Sequence, residues 1–405
     1  MRNTNRYHIN PEKYTLKNPV ILSLSDSHNR KNMVVPASKM IALHGDFFME
    51  DDMTDVYEKL RQRLDDMATG YPPSANGVEI KILKRLFSEA DAEMFLMMTP
   101  MLETPETVAE RLHLDPAQTA AHLEDMAYRG LLFRQRKADM VRYATIPFVV
   151  GVFEFQLKKV DKDLANDLQA YYEEALGKTF AAHETAVMRT IPIHRRLVEE
   201  WPVAPYEDVL GIFDQQKTIA VAPCICRTTQ KKLGQGCDKP LEACFLFGSH
   251  AQYYVDNHMG RFIDKEEAKA LVKINEAAGL VMQPFNSQHV GGMCSCCGDC
   301  CGILRSLKKQ PVPAAAVKSN YFAVVEDADC IGCGDCIDRC QMDAVAMQDD
   351  IAQIDLDRCI GCGLCVTTCP SEALRLVKKS DDQLYEPPAS GMETYIRIAQ
   401  ERGKM

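Results

Sequence analysis

Two runs of cysteine carry the clearest chemistry in this sequence. Cys330, Cys333, Cys336 and Cys340 form the first, and Cys359, Cys362, Cys365 and Cys369, followed by Pro370, form the second; each has the spacing C-x2-C-x2-C-x3-C. Three thiolates so closely spaced can converge on the irons of one cubane only if the backbone wraps tightly around it. Gly332, Gly334, Gly361 and Gly363 permit that wrapping, because glycine reaches positive φ at no steric cost. The turn after each triplet carries the fourth cysteine away, so it ligates the other run's cluster. The spacing therefore assigns Cys330, Cys333, Cys336 and Cys369 to one [4Fe-4S] cluster, and Cys359, Cys362, Cys365 and Cys340 to a second. Zinc also binds cysteines, but its ligands come as pairs with a longer spacer, not as triplets followed by x3-C.

Residues 321–377 resemble the bacterial-type ferredoxin that carries two [4Fe-4S] clusters. The resemblance implies a ferredoxin-like (βαβ)2 domain in which each half gives a strand, a cluster loop and a short helix, and it implies electron transfer. One position departs from the family pattern: Gln341 stands where Pro370 stands in the second half. Proline fixes φ near −65° and forces the exit turn, so the first loop is expected to be looser, with no ligand lost.

Nine further cysteines remain of the seventeen. Cys224, Cys226, Cys237 and Cys244 follow a buried strand at 218–222; Cys294, Cys296, Cys297, Cys300 and Cys301 crowd into eight residues. Neighbouring thiolates repel one another without a metal, so these are candidate ligands of a further iron–sulfur cluster or of zinc. Cys224, Cys226, Cys237 and Cys244 make one plausible set, and a site shared between the two stretches is the alternative. The helix opened by Asp264 and running to Gly279 is the element expected to bring the stretches together. Arg227, Lys231, Lys232 and Lys239 could offset thiolate charge. His250, His258 and His289 flank the stretches and are weaker ligand candidates; His183 and His194 read as packing or surface residues. Tyr253, Tyr254 and Phe262 read as core. The grouping resembles cysteine-rich segments found beside ferredoxin domains in proteins of anaerobes.

The elements that position this chemistry occupy a chain of 405 residues, too long for a ferredoxin alone. Residues 1–52 form a polar leader without readable chemistry, a candidate for disorder or for a start at Met53. Apolar spacing predicts a helix from Met53 to Gly70 and a second over 78–98. Short helices opened by Thr104-Pro105 and Asp115-Pro116 follow, then Gly130 and two strands at 131–136 and 140–146. Helix, turn, helix and β-ribbon in that order resemble a winged-helix domain, giving a domain at 53–150 and a helical connector at 151–216. The cysteine-rich α/β module spans 217–310, the ferredoxin domain 320–378, and a linker with a terminal helix 379–405. The fold class is α+β with a mainly helical N-terminal half.

Nucleic acid is an unlikely partner. Over 78–146 nine Lys and Arg oppose eleven Asp and Glu, the candidate recognition helix at 116–129 carries Glu124 and Asp125, and a DNA reader needs cations for phosphates. The basic wing of Arg134, Arg136 and Lys137 is the feature on the other side. The formal charge of −10 provides no overall basic field. No apolar run approaches the ~20 residues of a membrane helix. Seventeen cysteines without an export signal point to a cytoplasmic metal or redox protein. A redox partner protein is expected, no G-x-G-x-x-G phosphate loop is present, and oligomeric state is not legible.

Overall fold

The computed structural model describes residues 55–180, 182–193 and 204–404, together with four short strands in the leader. The chain divides into two units, Met1–Asp55 and Val56–Met405. In the first, strands β1 (Val20–Ser23) and β2 (Asn32–Val35) pair antiparallel, as do β3 (Met40–Leu43) and β4 (Asp46–Met49). The rest of the leader, and His194, lie outside the described residues.

The second unit opens with five helices: α1 (Val56–Asp65), α2 (Val78–Leu86), α3 (Glu89–Met97), α4 (Pro105–Leu112) and α5 (Pro116–Tyr128). The single helix expected over 78–98 is two. Ser88 breaks it: its hydroxyl accepts the Asp91 N–H while the Asp91 carboxylate accepts the Ser88 N–H, a capping box that starts a new helix. Ile82 lies in the core and Ile80 only packs against it. Thr104 and Asp115 cap α4 and α5, with proline in each first turn. Strands β5 (Phe133–Lys137) and β6 (Met140–Ala144) then form a hairpin, to which Glu103 adds a bridge with Tyr143. Helix α6 (Lys162–Tyr171) follows.

A five-stranded antiparallel sheet and the helices and turns beside it carry the nine outer cysteines. Helix α7 (Val209–Asp214) leads into β7 (Ile219–Pro223) and α8 (Ile225–Lys232). Strand β8 (Glu242–Phe247) continues into α9 (Gly248–Asp256), and β9 (Arg261–Ile263), α10 (Lys265–Ala277), β10 (Val281–Pro284) and β11 (Gly292–Cys296) complete the module. The spatial order is β10-β11-β8-β7-β9. Alternation along the strands separates two cores. Ala220, Ala222 and Leu246 join the core of the helical half, with Tyr253 and Tyr254 of α9. Val221, Phe245 and Met293 face the other way, toward Phe213 and Val272. Phe262, expected in the core, is 46% exposed because β9 is an edge strand.

Helix α11 (Gly302–Lys308) and a turn of helix at Pro313–Ala316 connect to β12 (Tyr321–Val325), α12 (Asp335–Arg339), β13 (Val345–Gln348), β14 (Ile351–Ile354), α13 (Leu364–Thr368) and β15 (Leu374–Lys378). Strands β12 and β15 pair, as do β13 and β14. The terminal helix α14 (Gly391–Glu401) packs on the body: the Tyr395 hydroxyl donates to the Val150 carbonyl at 2.9 Å, and Arg402 pairs with Asp65 at 2.7 Å. Among the described residues no helix is long and apolar enough to cross a membrane.

Candidate metal centres

The eight cysteines of the two runs line two cavities of similar size. One, of about 370 Å³, is lined by Cys359, Cys362, Cys365 and Cys340; the other, of about 330 Å³, by Cys330, Cys333, Cys336 and Cys369. Each cavity thus takes its fourth thiol from the other run. Gly332, Gly334, Gly361 and Gly363 all have φ between +66° and +81°, which lets each loop curl over its cavity. The short helices α12 and α13 end at Cys340 and Cys369, and this throws both thiols across. These donor sets fit four-cysteine iron–sulfur clusters.

Backbone amides point at the sulfurs with the same pseudo-symmetry. The Ala323 N–H of β12 donates to Cys359 Sγ at 3.4 Å and the Ala352 N–H of β14 to Cys330 Sγ at 3.5 Å, while the Ala344 N–H meets Cys340 Sγ at 3.2 Å. Such donors stabilise negative charge on sulfur. Burial pushes the Cys336 and Cys340 thiols up and Cys362 to about 12, so ligation must be coupled to proton release. The surroundings differ: Cys333 is exposed and Ile331 beside it is 67% exposed. Cys340, Cys359 and Cys362 instead pack on an apolar core of Val281, Leu304, Met342, Ile360 and Leu364 that also contains Cys296 and Cys301.

The nine outer thiols interleave. Cys237 Sγ lies 3.5 Å from Cys297 Sγ and 3.8 Å from Cys300 Sγ, and Cys224 packs against the same group. Cys224 meets Cys226, Cys226 meets Cys301, Cys301 meets Cys296, Cys296 meets Cys294, and Cys294 meets Cys244. Of the set Cys224, Cys226, Cys237 and Cys244, Cys224 and Cys226 touch each other, while Cys226, Cys237 and Cys244 also meet Cys301, Cys297 and Cys294 of the second stretch. The sheet, not the helix after Asp264, brings the stretches together: β8 and β11 pair with Cys244 opposite Cys294. The hydrogen bond with Cys300 pulls the Cys297 thiol down to about 4 and that with Cys226 pulls Cys301 to about 5; the hydrogen bond with Cys297 pushes Cys300 up and those with Cys294 and Cys301 push Cys296 up, with burial adding to both.

Two residues complete the surroundings. Arg227 is fully buried and its Nη2 points at Cys297 Sγ at 3.6 Å. Glu154, which sequence reasoning does not single out, accepts the Gly151 N–H at 2.6 Å, and burial raises its carboxyl to about 8, with Cys294 adding to the rise. No local pattern marks Glu154, because only tertiary packing brings it to the thiols. Of the other cations, Lys231 pairs with Asp238 at 3.8 Å. His250 stacks on Phe133 at 4.8 Å, and the His183 and His289 rings bond to the carbonyl oxygens of Thr185 and Ala389.

The arginines of the β5–β6 hairpin are neutralised within the chain. Arg134, 2% exposed, pairs with Glu124 at 2.7 Å, and Arg136 pairs with Glu124 at 2.7 Å and Asp256 at 3.1 Å. The Tyr253 hydroxyl of α9 donates to the carbonyls of Ala127 and Leu132, so the hairpin and α5 are docked on the cysteine-rich module.

No curated protein and no solved structure matches the chain. Residues 323–376, in the C-terminal part of the chain, match the family model of the 4Fe-4S dicluster domain.

Proposed function

We propose that the protein is an iron–sulfur electron-transfer protein, or a subunit of one, that holds two [4Fe-4S] clusters on residues 330–369 and passes electrons between a redox partner protein and the cysteine-rich module. When bound, such clusters exchange single electrons at potentials set by hydrogen bonds to sulfur and by solvent exposure. The observation that carries this reading is the apolar core shared by Cys340, Cys359 and Cys362 with Cys296 and Cys301. It joins the less exposed cysteine set of the dicluster domain to the outer thiols through buried apolar side chains. The opposite end supports contact with a partner, because Cys333, Ile331 and Ile337 are exposed there.

The N-terminal helices and hairpin are winged-helix-like in this reading, and they serve to pack against the module. Pairing of Arg134 and Arg136 with Glu124 and Asp256 leaves those cations unavailable to phosphate. Anaerobic reductive titration of the intact protein is the test. Uptake of about two electrons by the dicluster domain, released to a one-electron acceptor, is expected; no uptake from any low-potential reductant sinks the proposal.

A further inference from the structure

The nine outer thiols do not form one pool. Cys296, the last residue of β11, and Cys297, just beyond it, pack into different cores. Cys300 and Cys301 repeat the division after the next turn. Cross-strand partners share a face, so Cys244 and Cys294 lie on the face of Ala222 and Leu246, with Cys226 packed against the same core. Cys237, Cys297, Cys300 and Cys224 pack with Ala243, the neighbour of Cys244 on the opposite face. The sheet thus places four thiols on one side and five on the other, the two sets meeting where Cys224 touches Cys226, and each set draws on both sequence stretches.

Arg227 marks the four-thiol set. No carboxylate pairs with it among the described residues; its hydrogen bonds go to the carbonyls of Pro240 and Ser295 and to Cys297 Sγ, and its Nε has no partner. A buried guanidinium without an anion is strongly unfavourable. Metal-bound sulfur supplies that anion, since the metal ligand is the thiolate. The five-thiol set has Glu154 within electrostatic reach of Cys226, Cys244 and Cys294. Five thiols gathered there repel one another once ionised unless a polycationic centre binds them.

We infer that the cysteine-rich module holds two separate iron–sulfur clusters, one on Cys224, Cys237, Cys297 and Cys300 with Arg227 as its buried counter-charge, the other on four of Cys226, Cys244, Cys294, Cys296 and Cys301. Iron–sulfur is chosen over zinc because the five-thiol set shares its apolar core with the dicluster cysteines and the four-thiol set joins it through the contact of Cys224 with Cys226, a path that a redox-silent ion would not use; to that extent the inference rests on the electron-transfer reading.

Iron, labile sulfide and zinc per chain, measured on anaerobically purified full-length protein, test it. The unaltered protein is expected to hold about sixteen irons, Cys237→Ser/Cys297→Ser and Cys244→Ser/Cys294→Ser about twelve each, and the combination about eight. The reduced dicluster signal in electron paramagnetic resonance reports that each variant is folded; if a pair variant loses it, the count on the unaltered protein decides. About twelve irons at the outset, or loss of the same four in both pair variants, means one shared centre and overturns the inference. Zinc in either set, or about eight irons in all, also overturns it, yet eight reducible irons leave the electron-transfer reading intact. Arg227→Gln removes no ligand, and it is expected to move one module centre to lower potential, with Arg227→Lys restoring most of the shift. An unmoved potential with all iron retained removes Arg227 from this role.

Discussion

The side-chain oxygen of Gln341 accepts the backbone N–H of Gly298 at 2.8 Å. Gln341 follows Cys340 and is buried, and Gly298 lies between Cys297 and Cys300. The one residue that departs from the ferredoxin pattern is thus a contact between the dicluster domain and the outer thiols. A Cβ on Gly298 would run into the Gln341 carbonyl, so the approach requires glycine. Gln341→Ala leaves a buried N–H unsatisfied and is expected to cost about 1–3 kcal/mol, read as a lower midpoint in chemical denaturation. Gln341→Pro, which restores the family residue, should be no better. A variant as stable as the parent would show that the contact is incidental.

Removal of metal should proceed in stages. Cys333 is exposed, whereas Cys359 and Cys362 are covered by the core shared with the module. A chelator or mild oxidant is expected to release about four irons well before the rest, and the fast phase should be missing in Cys369→Ser, because Cys369 lines the exposed cavity. A fast phase missing in Cys340→Ser instead would reverse the assignment of the fourth ligands.

Asp91 ties α3 to α5. Its carboxylate accepts from Ser88, from Arg129 at 2.6 Å and from His122 at 2.9 Å. Burial pushes the carboxyl up, but the hydrogen bonds from Arg129, Ser88 and His122 outweigh it and hold the group well below the usual carboxylate range. Because the folded value is depressed, the stabilisation is present above the unfolded value of about 4 and is lost as pH falls below it. Asp91→Asn should lose about 2 kcal/mol at neutral pH through the broken cap and ion pair. Circular dichroism of denaturant unfolding measures it, and an unchanged midpoint would be contrary to expectation.

Duplex DNA should not bind. Fluorescence anisotropy at low ionic strength is expected to stay flat, since Arg134 and Arg136 are engaged by Glu124 and Asp256. Binding that weakens steeply with salt would show that those pairs open for phosphate and would favour a redox-sensing regulator.

The eight cysteines of residues 330–369 were legible from sequence because a cluster loop is contiguous: its spacing, its glycines and the turn after each triplet are all local. The caps at Thr104 and Asp115 are local in the same way. So is the Ser88–Asp91 box, which a helical period running across it conceals, and so is the alternation at Cys296 and Cys297. Which outer thiols meet is a different kind of fact. Cys237 reaches Cys297, and Cys244 reaches Cys294, only because β8 pairs with β11 in one register. The approach of Glu154 and the engagement of Arg134 likewise depend on packing between distant segments. Only the tertiary structure decides these contacts, since the register and face of a strand follow from burying its apolar side against partners that no local spacing encodes.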